Sequence, residues 1–379
     1  MGIDGYIGWP LAMHLSERGH DVSGIDNFSR RKNVEEIGSQ SATPIQPIDK
    51  RLNSYSNLTK NKIDFYEGDL IHYNFVELVL QKVKPDCIIH LGEIPSAPYS
   101  MIDVVHCNYT QMNNIIGTNN ILFAMKKIVP NCHLVKLGTM GEYGTPNIDI
   151  PEGSFEIEYR GRKDNLIFPR QPGSWYHLSK VHDTHNIQFA CKLWGLKSTD
   201  IMQGVVHGIL TNSMIDESLL TRFDFDEVWG TALNRFCAQA VIGYDLTPYG
   251  KGNQTRGYIA LRDSLQCLTL VMEKPPEGGE YRVLNQFDEC YSINELAQHV
   301  VQIAAENGIE SKILNIDNPR LEKEDHYYKP DRNKLPQMGF KPTNTLNDEL
   351  RITIPELNHY KSRILEKKQC ISPKIKWTH

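Results

Sequence analysis

Short apolar runs alternate with longer amphipathic segments over the first two-thirds of the chain. Short apolar runs bounded by turn residues are typical of buried strands, and apolar residues at three- and four-residue spacing are typical of helices. Strands that alternate with helices form a parallel sheet from βαβ units, so the pattern predicts an α/β, Rossmann-type doubly wound fold. The predicted strands are Asp21–Asp26, Ile63–Glu67, Asp86–Leu91, Cys132–Leu137 and Lys197–Met202, and the predicted helices include Trp9–Arg18, Asn74–Val83, Thr110–Ile128 and Trp175–Trp194.

A different pattern begins after Gln203. The chain there consists of shorter segments rich in Gly, Asp and Arg, which predict a smaller C-terminal substrate lobe over the carboxyl edge of the sheet. Within the first lobe, the alternating run Phe155–Tyr159 and the turn residues Arg160–Arg162 predict a β-hairpin in an insertion at 147–172. The polar stretch Lys367–His379 predicts an irregular tail.

Composition narrows the class of protein. The 379 residues are 40% hydrophobic and 23% charged, which is typical of a globular protein, and the net charge of −5 argues against nucleic acid or an anionic membrane as the main partner. No apolar stretch approaches the ~20 residues of a membrane helix, so we expect no membrane insertion and a cytoplasmic location. The eight cysteines are scattered without a C-x-x-C pair, so we expect reduced core residues and no metal site.

Three glycines at three-residue spacing stand where a turn becomes the helix Trp9–Arg18. Such spacing lets the backbone approach a pyrophosphate at the positive end of a helix, although a plain turn is an equally simple interpretation. The predicted cofactor contacts of this turn are Gly2, Gly5, Tyr6, Ile7 and Gly8.

Asp26 adds weight to a dinucleotide site. It ends the next strand, 18 residues after Gly8, where an acid holds the ribose hydroxyls and favours NAD over NADP. Arg30 and Arg31 follow closely and are either partners for a 2′-phosphate or solvated loop charges. Asp69 ends another strand, where it can bind the adenine amine or cap the following helix. Further predicted cofactor contacts are Asn27, Leu70, Leu91 and Gly92.

One element of the fold is absent from the pattern. A doubly wound sheet needs a buried apolar strand immediately before its glycine turn, yet Met1 directly precedes Gly2. The pattern therefore predicts that the first strand is missing, and we expect a longer reading frame upstream that supplies about six apolar residues. Without it, the neighbouring strands would have unpaired edges.

Tyr176 and Lys180 are four residues apart, hence on one face of a helix. A free phenol has a pKa of about 10, and a cation nearby lowers it, so Lys180 can make Tyr176 a base. Thr139 follows the strand Cys132–Leu137 and places a hydroxyl at the same edge of the sheet. Glu142 lies three residues further on, and is either a carboxyl beside the reacting group or a loop acid. His177 is either a proton-transfer group near neutral pH or a structural histidine.

Together the glycine turn, Asp26, Thr139 and the Tyr176/Lys180 pair resemble the extended, nucleotide-sugar-modifying branch of the short-chain dehydrogenase/reductase superfamily. The 4,6-dehydratases of that branch carry Thr-Asp-Glu where this chain has Thr139-Met140-Gly141, so both of their acids are absent. Longer strings are similar to those of the UDP-sulfoquinovose synthase family, from Gly2 to at least Tyr328. The strings that carry this resemblance are Gly92–Met101, Thr139–Pro146, Trp175–Asp183, Gly230–Phe236 and Tyr249–Tyr258. The chain departs from that family at Ile94-Pro95, where plant members have Gln-Arg.

The resemblance implies a reaction cycle on UDP-glucose and sulfite with NAD retained. Tyr176 takes the proton of the 4-hydroxyl during oxidation at carbon 4, and Lys180 also orders the nicotinamide ribose. Glu142 and His177, with Thr139 nearby, then remove the proton on carbon 5 and protonate the departing carbon-6 hydroxyl. Which of the two is acid and which is base stays open. Sulfite adds to carbon 6, and reduction at carbon 4 leaves UDP-6-sulfoquinovose.

The same resemblance makes residues 1–202 the NAD-binding domain and residues 203–379 a UDP-sugar-binding lobe interleaved with it. A diphosphate needs guanidinium groups and backbone donors, and Arg256 in a glycine-rich loop supplies both kinds. The predicted substrate contacts are Thr139, Gln203, Asn234, Arg235, Lys251, Gln254, Thr255, Arg256, Arg320 and His326.

Two other functions remain compatible with these residues. A UDP-sugar 4-epimerase would use the same Thr139, Tyr176 and Lys180 without sulfite and without Glu142. A non-catalytic NAD-sensing protein typically loses the Tyr or the Lys, and this chain has both. By analogy with related enzymes, the helices Thr110–Ile128 and Trp175–Trp194 predict a homodimer interface.

Overall fold

A computed structural model describes residues 1–320 and 323–377 of the protein. The strands are β1 Val22–Asp26, β2 Ile63–Glu67, β3 Cys87–His90, β4 His133–Leu137, β5 Ser154–Tyr159, β6 Arg162–Ile167, β7 Lys197–Gln203, β8 Val205–His207, β9 Thr255–Ala260, β10 Tyr281–Gln286 and β11 Glu289–Ser292. The helices are α1 Gly8–Glu17, α2 Ser29–Glu36, α3 Ile48–Thr59, α4 Tyr73–Val83, α5 Ala97–Ser100, α6 Val104–Gln111, α7 Gly117–Ile128, α8 Trp175–Trp194, α9 Ala232–Ile242, α10 Leu261–Glu273, α11 Ile293–Glu306, α12 Lys334–Gln337, α13 Leu346–His359 and α14 Lys361–Glu366.

The central layer is a parallel sheet in two parts. Strands β10, β7, β4 and β3 are hydrogen-bonded in that order, and β1 pairs with β2. Between the two parts lies the backbone of Met1 and Gly2. The Met1 amino group donates to Ile89 O on β3 (2.9 Å), and Gly2 N donates to Ile25 O on β1 (2.8 Å). The parallel α/β fold predicted from the sequence is confirmed, and at the position of its central strand the sheet is bridged by these two residues.

Helices cover both faces of this sheet. Residues of α4, α7 and α8 pack with Ile88 and Leu134 on one face, and residues of α1 and α10 pack with Val135 and Ile201 on the other. The segment predicted as one helix at Thr110–Ile128 begins earlier, at Val104, and contains a π-helical turn at Met112–Ile116 between α6 and α7. Asp103 caps its first turn by accepting hydrogen bonds from Val105 N and His106 N, a local signal that would have located this start.

The smaller lobe contains a three-stranded sheet, ordered β11–β9–β8, and a core formed mainly by α9, α11 and α13. The predicted boundary after residue 202 falls one residue before the end of β7. Strand β10 and helix α10, which come later in the chain, belong to the large sheet and to its covering layer. Residues from both sides of that boundary therefore belong to the large sheet and its covering layer, and a single cut in the chain does not separate the two sets of elements.

The insertion at 147–172 contains the predicted hairpin. Strands β5 and β6 pair antiparallel, and Arg160 and Gly161 in the turn both have positive φ. The stretch predicted as an irregular polar tail is partly packed against the rest of the protein, because Cys370 and Ile371 are buried. Thr378 and His379 lie outside the described residues.

All eight cysteines are free thiols, as predicted, and five of them are buried. Cys290 is exposed, so the expectation of a core position is wrong for that residue. Over residues 1–320 and 323–377, no helix is both long and apolar enough to cross a membrane.

Candidate active site

A cavity of about 870 Å³ lies between the glycine turn, the carboxyl ends of the large sheet and the smaller lobe. This is the edge at which doubly wound folds bind ligands, and the volume is in the range of small-molecule and cofactor sites. Most of the residues predicted to be catalytic or to bind cofactor or substrate line it. Those residues are Gly2, Gly5, Tyr6, Ile7, Gly8, Asp26, Asn27, Arg30, Asp69, Leu70, Leu91, Gly92, Thr139, Tyr176, His177, Gln203, Asn234, Arg235, Gln254, Arg256 and Arg320.

The glycine turn has no room for side chains. Gly2 has a φ of +80°, and a Cβ there would lie 2.7 Å from Leu91 O. A Cβ on Gly8 would lie 2.9 Å from the carbonyl carbon of Gly2. Both contacts are with backbone atoms that cannot move aside, so only glycine leaves the turn open at the start of α1. This cradle fits the pyrophosphate of a dinucleotide.

Asp26 presents its carboxylate to the cavity at the end of β1. Its Oδ2 accepts from Asp4 N and its Oδ1 accepts from Phe28 N, both at 2.8 Å. Burial raises the pKa of this carboxyl, and the neighbouring charge of Asp4 adds to the increase. The carboxylate is thus held in place at the position where a ribose would bind.

The two arginines after Asp26 have different surroundings. Arg31 does not line the cavity, because its guanidinium binds both oxygens of Asp4, at 2.7 Å each. The prediction that Arg31 contacts the cofactor is therefore corrected. Arg30 does line the cavity, but it is paired with Asp224 (2.7 Å) and its guanidinium lies 3.9 Å above the Trp229 ring. With one arginine turned away and the other paired, the site favours a free ribose over a 2′-phosphate.

Asp69 caps no helix. Its Oδ1 accepts from Ile71 N (3.0 Å) and its Oδ2 accepts from Asn27 Nδ2 (2.8 Å), so it closes a turn and joins the ends of β1 and β2. Both Asn27 and Asp69 keep a place on the cavity wall.

Tyr176 and Thr139 meet at the centre of the cavity. Ser174 caps α8, and Ser100 Oγ accepts from Tyr176 N (3.0 Å), which fixes the first turn of that helix. Burial raises the pKa of the Tyr176 phenol, and the nearby Thr139 side chain opposes part of that rise. Thr139 Oγ1 accepts from Gly141 N (3.1 Å), so the turn that follows β4 aims this hydroxyl at the phenol.

Lys180 does not act on Tyr176 as the sequence suggested. Its ammonium forms an ion pair with Glu93 and donates to Leu137 O (2.6 Å), it lies 5.9 Å from the Tyr176 ring centroid, and it does not line the cavity. The expected lowering of the phenol's pKa is wrong for this arrangement: burial raises the pKa of Tyr176, and the charge of Glu142 adds to the rise. Burial also lowers the pKa of Lys180 to about 8. Glu93, which sequence reasoning missed, neutralises the cation.

His177 faces the cavity beside Tyr176. Its Nδ1 is hydrogen-bonded with Ser174 Oγ (3.0 Å), and its other edge lies against Gly141, where a Cβ would come within 2.6 Å of His177 Cδ2. Burial lowers the pKa of His177 to about 3, and the charges of Arg256 and Arg320 contribute. The imidazole is therefore neutral near pH 7, and its Nε2 lies against Gly141, which lines the same cavity.

Glu142 is not beside the reacting group. It is fully buried beneath the cavity, where its Oε2 lies 3.0 Å from Thr184 Oγ1 and its Oε1 lies 3.5 Å from Lys136 Nζ. The prediction of Glu142 as a catalytic acid or base is corrected, because the turn after β4 directs this side chain into the protein.

A buried charge cluster surrounds Glu142. Lys136 Nζ also lies 3.7 Å from Asp200, and Asp200 accepts from Thr184 Oγ1 (2.7 Å) and Tyr281 Oη (2.6 Å). The cluster joins β4, β7, β10 and α8 below the residues that face the cavity. The sequence signal for this charge cluster was Lys136, a lysine inside the apolar run of β4.

The part of the cavity wall that the smaller lobe supplies is basic. Arg235 donates to Tyr249 Oη and to Thr247 O (3.0 Å), and Arg256 donates to Thr255 O (2.7 Å). Lys323 also lines the cavity and was not predicted; Arg222, likewise not predicted, lines it on the cofactor side, where it shares Asp224 with Arg30. This basic end can hold a diphosphate between several cations.

Three predicted substrate contacts lie outside the cavity. Lys251 pairs with Asp325 (2.9 Å), Thr255 donates to Asn253 O (3.4 Å), and His326 lies behind Arg256, with its Nε2 2.8 Å from Arg256 Nη1. For these residues the expected contact is corrected: Lys251 and Thr255 bind neighbouring loop groups, and His326 supports a residue that does line the cavity.

Comparisons with known proteins agree with this geometry. The model of the NAD dependent epimerase/dehydratase family matches residues 1–285. A UDP-sulfoquinovose synthase of Sulfolobus acidocaldarius is 49% identical over 378 residues, covering all of this chain and 96% of the relative. A chloroplastic UDP-sulfoquinovose synthase of Spinacia oleracea is 48% identical over 379 residues, covering all of this chain and 78% of the relative.

Solved structures establish the fold independently. A UDP-glucose 4-epimerase of Thermotoga maritima with UDP-glucose has a TM-score of 0.70 at 20% identity, over 95% of this chain and 97% of that chain. A UDP-glucuronic acid 4-epimerase of Bacillus cereus, in complex with UDP-glucuronic acid and NAD, has a TM-score of 0.68 at 20% identity, over 94% of this chain and 98% of that chain.

Proposed function

The chain belongs to the NAD dependent epimerase/dehydratase family, and from that membership we propose that it converts UDP-glucose and bisulfite into UDP-6-sulfoquinovose and water. Identity of 49% and 48% to two UDP-sulfoquinovose synthases over the whole chain supports this choice of reaction. The observation that carries the proposal is the convergence of Thr139, Tyr176 and His177 on one cavity with a basic end.

The cofactor is NAD. When bound, NAD supplies the oxidation of the sugar at carbon 4 and the reduction that closes the cycle. The glycine turn would hold its pyrophosphate, and Asp26 would hold its adenosine ribose. Arg30 would lie near that ribose, with its guanidinium paired to Asp224.

Tyr176 handles the proton of the 4-hydroxyl. In its phenolate form, Tyr176 accepts this proton as carbon 4 is oxidised and becomes the neutral phenol. The resulting ketone acidifies the proton on carbon 5. Because burial raises the pKa of Tyr176, the phenol needs a nearby cation to lose its proton. We expect Lys180 to supply it, by leaving Glu93 and approaching the phenol once the cofactor ribose lies between Lys180 and Glu93.

His177 is the base for the second step. It is neutral at physiological pH and lines the cavity, so its free ring nitrogen can accept the carbon-5 proton. Tyr176, now protonated, donates to the departing carbon-6 hydroxyl, which leaves as water. Bisulfite then forms a sulfur–carbon bond at carbon 6, His177 returns its proton to carbon 5, and the proton that bisulfite brought restores the phenol and hence the 4-hydroxyl. Glu142 takes no part in these transfers.

The basic end of the cavity binds the UDP group. Arg235, Arg256 and Arg320 supply guanidinium groups for the diphosphate, and Asn234 and Gln254 supply neutral hydrogen-bonding groups. Residues 1–202 and 203–379 accordingly act as cofactor and substrate halves, with the interleaving described above.

We also propose a homodimer. The helices α6, α7 and α8 expose a set of large apolar side chains, more than a solvated helix face usually carries. The exposed residues of this set are Val104, Val105, Met112, Ile116, Phe123, Trp175, Phe189 and Leu193. Helices of two copies packed through this set would bury them. The free thiols support a reducing compartment such as the cytoplasm.

Mass spectrometry of the reaction products tests the function. The protein is incubated with UDP-glucose, with and without sulfite, beside a Tyr176→Phe control. A sulfite-dependent product with the mass of UDP-sulfoquinovose, absent in the control, is the expected result. Conversion to UDP-galactose without a change in mass would instead identify a 4-epimerase, and no turnover despite bound NAD would contradict the proposed substrate.

A further inference from the structure

Residues 370–377, which we call the strap, cross from the smaller lobe to the cofactor half and back along the cavity. Cys370 Sγ lies 3.5 Å from Gly38 O, and Glu227 N donates to Cys370 O (2.9 Å). The strap then passes over Glu227, whose Oε2 accepts from Lys374 N (2.6 Å) and Ile375 N (3.3 Å).

Two further contacts hold the strap in place. Ile375 packs against an apolar cluster that includes Val34, Ile94 and Trp229. Trp377 N donates to Pro319 O (3.0 Å). The strap is thus attached to both halves of the protein, which places the Trp377 side chain on the cavity wall.

Trp377 contacts the basic end of the cavity through Arg320. The Arg320 guanidinium lies 5.5 Å from the Trp377 ring centroid and 5.7 Å from the Tyr249 ring centroid. A guanidinium between two aromatic faces loses conformational freedom while its N–H edges stay available to an anion. Tyr249 also lies 4.1 Å from the guanidinium of Arg235, so the same aromatic group orders two of the cations.

We propose that Trp377 is a positioning residue for nucleotide binding, which holds Arg320 in the orientation that binds the diphosphate of UDP. The inference rests on the proposed function for the identity of the nucleotide. Neither the predicted substrate contacts nor the family match, which ends at residue 285, includes Trp377.

In the proposed complex, Trp377 acts through Arg320 on the diphosphate, a part of the substrate that does not react. Interactions with a non-reacting part of a substrate stabilise ground state and transition state alike, so their loss raises KM and leaves kcat unchanged. A general loosening of the fold would change both, and it would lower the thermal midpoint as well.

The test is calorimetric binding of UDP to the NAD-loaded protein. We expect Trp377→Ala to raise the Kd of UDP about tenfold, the size of a cation–π contact in a partly desolvated site. Trp377→Phe, which keeps a ring, should recover most of the loss. Lys376→Ala changes the exposed neighbour in the strap and serves as the matched control, with wild-type affinity expected.

A double-mutant cycle then tests the route through Arg320. In an Arg320→Ala background, Trp377→Ala should have less than a twofold further effect. An unchanged Kd for Trp377→Ala, or full additivity with Arg320→Ala, would overturn the inference. UDP binding is measured without turnover, so a protein that loses UDP affinity in Trp377→Ala but makes no sulfosugar would refute the proposed function alone.

Discussion

Replacing Gly141 by alanine tests how the site aligns His177. Gly141 follows the turn after β4, and an added Cβ would lie 2.6 Å from His177 Cδ2 and closer still to Nε2. Ordinary van der Waals contact begins near 3.4 Å. The ring must therefore move by about 1 Å, or the turn that carries Thr139 must move by the same amount.

Either movement separates groups that have to act on one sugar. A misplacement of about 1 Å costs on the order of 100-fold in rate, so we expect kcat for sulfite-dependent turnover of UDP-glucose to fall about 100-fold. The affinity for UDP should stay near that of the wild type, because the basic end of the cavity is unchanged.

The control is Gly173→Ala. Gly173 also lines the cavity, but a Cβ there would have no atom within 4 Å, so this variant should retain wild-type activity. Initial rates, UDP affinity and thermal midpoints are compared for both variants. If Gly141→Ala turns over within threefold of Gly173→Ala, the ring of His177 does not need its present position, and our assignment of the carbon-5 base fails.

Four further outcomes follow from the same geometry. Tyr176→Phe should lower turnover by at least about 100-fold and leave the amount of co-purified NAD unchanged; appreciable residual activity would contradict its role as base. Lys136→Met leaves Asp200 without Lys136 and leaves Glu142 with Arg170 (3.8 Å) as its remaining buried cation, so it should lower the free energy of unfolding in urea by about 3–5 kcal/mol, whereas Lys163→Met on the exposed hairpin should change it little. Burial lowers the pKa of His133 to about 3, so between about pH 6.5 and pH 3 the unfolded chain binds a proton that the folded protein does not. The free energy of unfolding should therefore fall as the pH drops through this range. His133→Gln should flatten this pH dependence, and an unchanged slope in the variant would refute the argument. Phe189→Asp should convert the proposed dimer into a monomer in light scattering, while Tyr159→Asp on the distant hairpin should not.

Tertiary contacts decided the features that the sequence left open or predicted wrongly. Glu142 and Thr139 are three residues apart, but the turn between them directs one side chain into the core and the other into the cavity. Lys180 pairs with Glu93, which follows β3, and Arg31 pairs with Asp4 in the glycine turn, so in both cases the partner comes from a distant segment. The pattern of neighbouring residues does not predict these ion pairs, because they depend on which distant segments the fold brings side by side.

The membership of each lobe was equally a tertiary result. Strand β10 joins the large sheet by pairing with β7, across about 80 residues of the smaller lobe, and the strap returns to the cavity from the other end of the chain. The pairing of β10 with β7 and the path of the strap both depend on packing between distant segments. The periodicity of apolar residues along the chain therefore does not predict either of them.

The sequence by itself determined the features that arise from local chemistry. The period of apolar residues located β1, β2, β4, β7 and α8 to within a residue or so, and the turn residues located the hairpin, because burial of one face acts on neighbouring residues. Glycine spacing and an acid at a strand end indicated the dinucleotide cradle, since only glycine fits a backbone that approaches so closely. The tertiary structure alone decided which charges face the ligand and which neutralise each other inside, because a charge takes its partner from whatever the fold brings within a few ångströms.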